Sequence, residues 1–200
     1  MGKKILFTEK QIKKIMGEAI DELDLYHGTR ADFNKFDFAY LSTGWGQQAH
    51  GYGFYLTDSY NVAKEYAVNG QVMKVQVPDG KYLTDKSISQ REKDKIAQTF
   101  FKYYTEENED MRDSYPDAET KQAFWDYEVD YIRRCSTGTY VYGTLASIMG
   151  SNEDTSNFLH DKLGYVGLKI HDVYSDENRV TNTYVIFNAD DIKILGKNKC

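Results

Sequence analysis

The order of apolar and polar positions divides the chain into alternating helical and strand-like segments. Thr8-Glu9-Lys10-Gln11 has the form of a capping box, and Ile12, Ile15, Met16, Ala19, Ile20 and Leu23 follow at helical spacing. An amphipathic helix is therefore expected over residues 1–24. Leu25-Tyr26 then runs into His27-Gly28-Thr29, which reads as a strand end where a glycine exposes the backbone. Residues 31–53 form a segment rich in Gly, Ser and aromatics, too long for a mere connection. It closes with Gly51-Tyr52-Gly53 before the strand-like Phe54-Tyr55-Leu56-Thr57. Asp58 or Ser59 is placed to cap a short helix with Val62, Ala63, Tyr66 and Ala67 on its apolar face. Val72, Val75 and Val77 then alternate as a strand.

The middle of the chain is helical by the same reasoning. Ser89-Gln90-Arg91-Glu92 repeats the capping box before Ile96, Phe100 and Tyr104, while Phe124, Tyr127 and Tyr131 share a helical stripe expected to be core. Short helices are expected over 145–149 and 158–163, the second stopped by Gly164. Strands return at 165–170 and 184–187. The fold class expected is α+β. With two prolines, no repeat and no low-complexity tract, residues 1–200 are read as one domain.

Composition and charge add to this picture. A 40% hydrophobic content can fill a core, and the 17 tyrosines suit half-buried clefts where a ring packs and its hydroxyl meets ligand or water. The formal charge of −6 argues against a surface that coats nucleic acid, which needs clustered Lys and Arg. Residues 106–119 hold seven acids against Arg112 alone, a solvated acidic stretch. The two cysteines have no disulfide or metal spacing, the N-terminus has no apolar signal segment, and no apolar run reaches membrane-spanning length. A cytoplasmic protein without a membrane partner is expected, and the scattered His50, His160 and His171 imply no metal site.

Leu25-Tyr26-His27-Gly28-Thr29, then Gly51-Tyr52-Gly53-Phe54-Tyr55, then Tyr66, and finally Thr183-Tyr184-Val185-Ile186-Phe187 occur in the order of a known group of proteins. Together they resemble the ADP-ribosyltransferases of the diphtheria-toxin and poly-ADP-ribose-polymerase type, including phage-borne and bacterial toxin members. The likeness runs from about Leu25 to Leu195, and Leu163-Gly164-Tyr165-Val166-Gly167 adds to it. It implies short-stranded sheets around an NAD cleft, with the helices of 87–134 as an insertion. It further implies NAD as substrate, and His27, Gly28, Thr29, Tyr55 and Tyr66 as its binding residues.

Each has a physical reason beside the likeness. Without a Cβ, Gly28 can present its backbone N–H and C=O to the nicotinamide carboxamide. One ring nitrogen of His27 can meet a ribose hydroxyl while the fold holds the other. Tyr55 and Tyr66 can sandwich the nicotinamide ring, and the Thr29 hydroxyl can support the strand or a ribose contact. Singly, each has an ordinary packing role, and their joint order carries the ligand reading. Cleavage of the nicotinamide–ribose bond develops oxocarbenium character, which carboxylates stabilise. The resemblance puts a glutamate where this chain has Thr183, beside Asn182, and Glu177 or Asp176 are the nearest carboxylates in sequence.

His27, Tyr55, Thr183 and Glu177 are thus the catalytic candidates. The expected activity is transfer of one ADP-ribose to a protein or nucleic-acid target by a toxin or phage or bacterial effector, with an antitoxin or inhibitor protein as a further partner. The alternative is a catalytically weak NAD- or ADP-ribose-binding module without the glutamate. An RNA 2′-phosphotransferase shares the His-Gly-Thr start, but its further basic motif is not evident.

Overall fold

Leu23, Leu25 and His27 alternate along a strand, β1 (Glu22–Thr29), in the computed structural model, which describes residues 21–41, 48–174 and 179–200. This corrects the end of the helix expected over 1–24. Leu23 and Asp24 pair with Val77 and Gln76 of β3 (Gln71–Pro78), because an extended backbone here joins a ladder that continues to Thr29 opposite Gln71. The rest of that helix, up to Ile20, lies outside the described residues.

β2 (Phe54–Thr57), β4 (Lys81–Thr84), β5 (Tyr165–Tyr174), β6 (Arg179–Ile186) and β7 (Lys193–Lys199) complete a seven-stranded sheet among the described residues, in the order β4-β5-β6-β2-β1-β3-β7. With its helices this is an α+β fold. β5 and β6 are longer than the apolar runs at 165–170 and 184–187 suggest, since polar positions such as His171 and Asn182 face each other across the ladder. Ladder pairing needs only backbone groups, so it does not require apolar side chains. β4 and β7 have no counterpart among the strands expected from sequence.

Leu25, Phe54, Leu56, Met73, Val75 and Ile186 build the main core of the sheet together with Phe36 and Ile192. Tyr26 and Val72 belong to a smaller cluster with Ala63 and Ala67 of the helix α1 (Tyr60–Ala67). The alternation of a strand sends these two sets to opposite faces. β1 pairs with β3 along its whole length but with β2 only at Tyr26 opposite Thr57. The sheet is therefore nearly split between β1 and β2.

The chain divides into two compact units, one made of residues up to Leu83 with Ser156–Cys200, the other Thr84–Thr155. The second is helical: α2 (Gln90–Lys102), α3 (Ala118–Phe124), α4 (Asp130–Arg134) and α5 (Gly138–Met149). As the sequence suggests, Ser89 starts α2, its Oγ accepting from the Glu92 N–H at 3.2 Å. The stripe Phe124, Tyr127, Tyr131 is not core throughout. Phe124 is buried, while Tyr127 and Tyr131 are 75% and 56% exposed. The reason is a π turn at Trp125–Val129, whose wider winding advances the buried face to Val129 and Ile132. A final helix, α6 (Asn152–Leu163), ends at Gly164, which takes the left-handed φ of 72°. No helix among the described residues is long and apolar enough to cross a membrane.

Candidate functional site

The near-split between β1 and β2 brings His27 to Tyr55. The His27 Nδ1 lies 2.9 Å from the Tyr55 carbonyl oxygen. A carbonyl only accepts, so Nδ1 carries the proton and donates, and in the neutral ring Nε2 is left as an acceptor. Nε2 has no hydrogen-bond partner among the described residues. The half-buried ring packs edge-on against Phe36 at 5.2 Å, with Phe33 at 6.2 Å. Burial pushes the His27 pKa below the usual imidazole range, and the hydrogen bond to Tyr55 opposes this only in part. His27 is thus a neutral imidazole with one fixed tautomer at neutral pH.

Tyr55 itself is held by its hydroxyl, which accepts from the His50 N–H at 2.8 Å and donates to the Gly51 carbonyl at 3.1 Å. Phe54 and Leu56 point into the main core, so strand alternation turns Tyr55 and Thr57 to the opposite face, that of Tyr26 and α1. Gly53 has φ of 155°, and a Cβ there would meet the Ile186 carbonyl oxygen at 2.5 Å. Only glycine lets β2 begin this close to β6.

The bare Cα of Gly28 also serves packing. A Cβ at residue 28 would lie 1.8 Å from the Ala63 carbonyl oxygen and 3.0 Å from the Ala67 nitrogen. Its bareness is spent on the approach of α1 to β1, so helix packing is sufficient to demand glycine here. Thr29 contributes its hydroxyl oxygen as acceptor for the Ala31 N–H at 3.1 Å, shaping the turn after β1. That turn is pinned by the Gln71 side-chain amide to the Ala31 carbonyl at 2.8 Å and by Lys197 to Asp32 and Asn34.

α1 starts at Ser59, whose Oγ accepts from the Val62 N–H at 3.4 Å, and buries Val62, Ala63 and Ala67. Tyr66 departs from the core role that its apolar-face position suggests. At about 100° per residue it falls between Val62 and Ala63 around the helix axis, both buried, yet it is 55% exposed. An inward-facing residue stays exposed only where the neighbouring surface falls away beneath it.

Thr183 stands opposite Thr57, which stands opposite Tyr26. Directly paired residues share a face, so Thr183 lies on the face of Tyr55 and α1. Tyr55 in turn stands opposite Val185, two residues along β6. His27 thus meets the Tyr55 backbone, with its ring on the face of Leu25 and Phe36 and the Tyr55 ring on the other, while Gly28 seats the helix that carries Tyr66, and Thr183 occupies the adjoining strand on the same face as the Tyr55 ring. Glu177 and Asp176 lie outside the described residues.

Of two further neighbours of Thr183, the sequence offered Asp58 only as a helix cap and Thr181 in no role. The Asp58 carboxylate accepts from the Asn182 backbone N–H at 2.9 Å and from the Asn182 side-chain amide. Thr181, two positions before Thr183, is buried, and its hydroxyl oxygen has no partner among the described residues. Only the pairing register joins Asp58 to Thr181 and Asn182, more than a hundred positions away in sequence.

A family model described as ADP-Ribosyltransferase in polyvalent proteins matches residues 21–200. No curated protein and no solved structure matches the chain.

Proposed function

The chain belongs to the family of ADP-ribosyltransferases in polyvalent proteins, and on that premise we propose that it binds NAD at the split between β1 and β2 and transfers one ADP-ribose to a macromolecular target. The observation that carries this reading is the His27–Tyr55 hydrogen bond, which leaves Nε2 of a neutral imidazole ready to accept from a ribose hydroxyl. Tyr55 and the exposed Tyr66 supply ring faces for nicotinamide, and the backbone of Gly28 supplies groups for its carboxamide. Thr29 acts through the turn it shapes.

Thr183 brings a hydroxyl where a carboxylate would stabilise an oxocarbenium ion. Polymer growth is not expected from such a site, and transfer of a single unit is. A toxin or a phage or bacterial effector role fits that chemistry, with a protein or nucleic-acid target and an antitoxin or inhibitor as partner. The test is release of nicotinamide from NAD. We expect slow release by the parent, faster with the true acceptor, and a rise of about a hundredfold in acceptor-free hydrolysis for Thr183→Glu, the scale of one well-placed charge. Failure of NAD to shift the thermal midpoint would overturn the reading. NAD binding without transfer to any component of a lysate would support the second reading, a binding module, which the hydroxyl at residue 183 favours.

A further inference from the structure

One rung beyond Thr183 the face of the sheet opens into a cleft of about 530 Å³, lined by Asp58, Ser59, Tyr60 and Asn61 at the start of α1 and by Val180 and Thr181 of β6. Its wall holds an unused polar group. Thr181 is 5% exposed, and its hydroxyl oxygen has no partner among the described residues. A buried polar group without a partner is costly and therefore uncommon, so the Thr181 hydroxyl in the wall of this cleft points to a ligand.

Asp58 is anchored by its two hydrogen bonds from Asn182, and a carboxylate has lone pairs left over for a third donor. No Lys or Arg is among the described residues that line the cleft. Ser59 already takes the Val62 N–H, and the Asp58 charge sits next to the positive end of α1. A phosphate or carboxylate is therefore disfavoured here, and an uncharged N–H or O–H group is favoured.

The spacing along β6 gives the cleft its place in the reaction. Val185, Thr183 and Thr181 project from one face at intervals of roughly 6.6 Å. Tyr55 stands opposite Val185. With nicotinamide on Tyr55 and its ribose beside Thr183, as the transferase reading has it, the cleft at Thr181 lies on the side of the ribose away from the leaving group. That is where an attacking nucleophile must stand.

Resting on that reading, we propose that this cleft seats the acceptor nucleophile and that Asp58 is the general base of the transfer. The nucleophile's N–H or O–H proton passes to the Asp58 carboxylate. The freed lone pair forms the new bond to the ribose anomeric carbon. The bond from that carbon to nicotinamide breaks with its electron pair on the ring nitrogen, so nicotinamide leaves neutral. Asp58 then returns the proton to solvent. Thr181 holds the nucleophile through its hydroxyl.

The experiment compares acceptors that need a base with one that does not. Nicotinamide release and the ADP-ribosyl product are measured with water, with methanol and with azide for the parent, Asp58→Ala, Asp58→Asn and Thr181→Val. We expect both Asp58 variants to lose about a hundredfold or more of the water and methanol reactions while keeping the thermal shift with NAD. Azide, which arrives deprotonated, should restore nicotinamide release in them and give ADP-ribosyl azide. Thr181→Val should lose less, in both base-dependent reactions alike. Parental methanolysis by either folded Asp58 variant overturns the proposal, as does loss that azide leaves unrestored. Asp58→Asn keeps side-chain size, so it carries the test if Asp58→Ala does not fold. A parent that neither binds NAD nor releases nicotinamide overturns the transferase reading and this proposal with it, whereas an active parent with insensitive variants overturns this proposal alone.

Discussion

The two compact units distribute charge and space differently. Thr84–Thr155 carries 15 acidic against 9 basic residues, which accounts for the entire formal charge of −6, while the rest of the chain is balanced at 16 of each. The balanced unit contains the sheet, the candidate site and the tightest backbone approaches, such as Gly28 against Ala63 and Gly53 against Ile186. The acidic unit has slack. A Cβ on Gly143, in the middle of α5, would meet nothing within 4 Å, and Tyr127, Tyr131 and Tyr140 lie exposed. The contrast teaches where sequence change is tolerated. A split sheet with a helix pressed on it has almost no free volume at its seams, whereas helices wrapped in water can accept side chains and charge.

Glycine substitutions have the largest expected effect and separate the two units most directly. Gly28→Val should destabilise the protein by about 3 kcal/mol or more, because the clash is with helix backbone and cannot be relieved by a side-chain rotation. NAD binding and fold should fail together, so this variant reports on packing and is no clean test of the carboxamide contact. Gly143→Ala should instead stabilise by up to about 1 kcal/mol, since the helix gains propensity at no steric cost. Chemical denaturation of both variants checks the pair, and equal losses would mean that the two units are packed alike.

A smaller effect separates the exposed tyrosines. Tyr66→Ala should lower NAD affinity severalfold, corresponding to about 0.5–1.5 kcal/mol of ring stacking beyond area burial. Tyr127→Ala, at a more exposed ring of the acidic unit, should leave NAD affinity unchanged. Both should keep their circular dichroism. Titration by calorimetry distinguishes them, and matching affinities would remove Tyr66 from the site.

The smallest effect concerns pH, and two histidines of the sheet unit should move stability in opposite directions. Burial lowers the His27 pKa in the folded state, so the unfolded chain takes up its proton first and stability falls as pH drops through about 6.5. His160 is raised chiefly by the Asp191 carboxylate, 3.3 Å from its Nε2, with Asp161 at 2.7 Å adding to it. Its contribution is complete below about pH 6.5 and is lost as pH rises through the higher folded value. Melting His27→Gln and His160→Gln between pH 5 and 8, a window bracketing about 6.5, should flatten opposite limbs of the parent curve. A common slope for both variants would contradict the assigned environments.

Local rules account for what was legible in the chain. The caps at Ser59 and Ser89, the stop at Gly164 and the strands around His27 and Tyr55 all rest on neighbours within a few positions, and each stands where the pattern puts it. The stripe at Tyr127 and Tyr131 misleads because one π turn rotates everything after it, and no residue type marks that turn. Leu23 satisfies a helical period and a strand period equally, and only its pairing with Val77 chooses between them.

The sequence alone determined the α+β class, the order of the motif strands and the candidate ring and imidazole groups, because periodicity, capping and family order are written in adjacent residues. The tertiary structure decided the rest. It showed that the bareness of Gly28 serves Ala63, that Tyr66 stays exposed on an inward sector, and that Asp58 and Thr181 flank one cleft beside Thr183. These depend on strand register and helix seating, and a contact between residues 58 and 182 leaves no local trace because ladder pairing is made by backbone groups common to every residue.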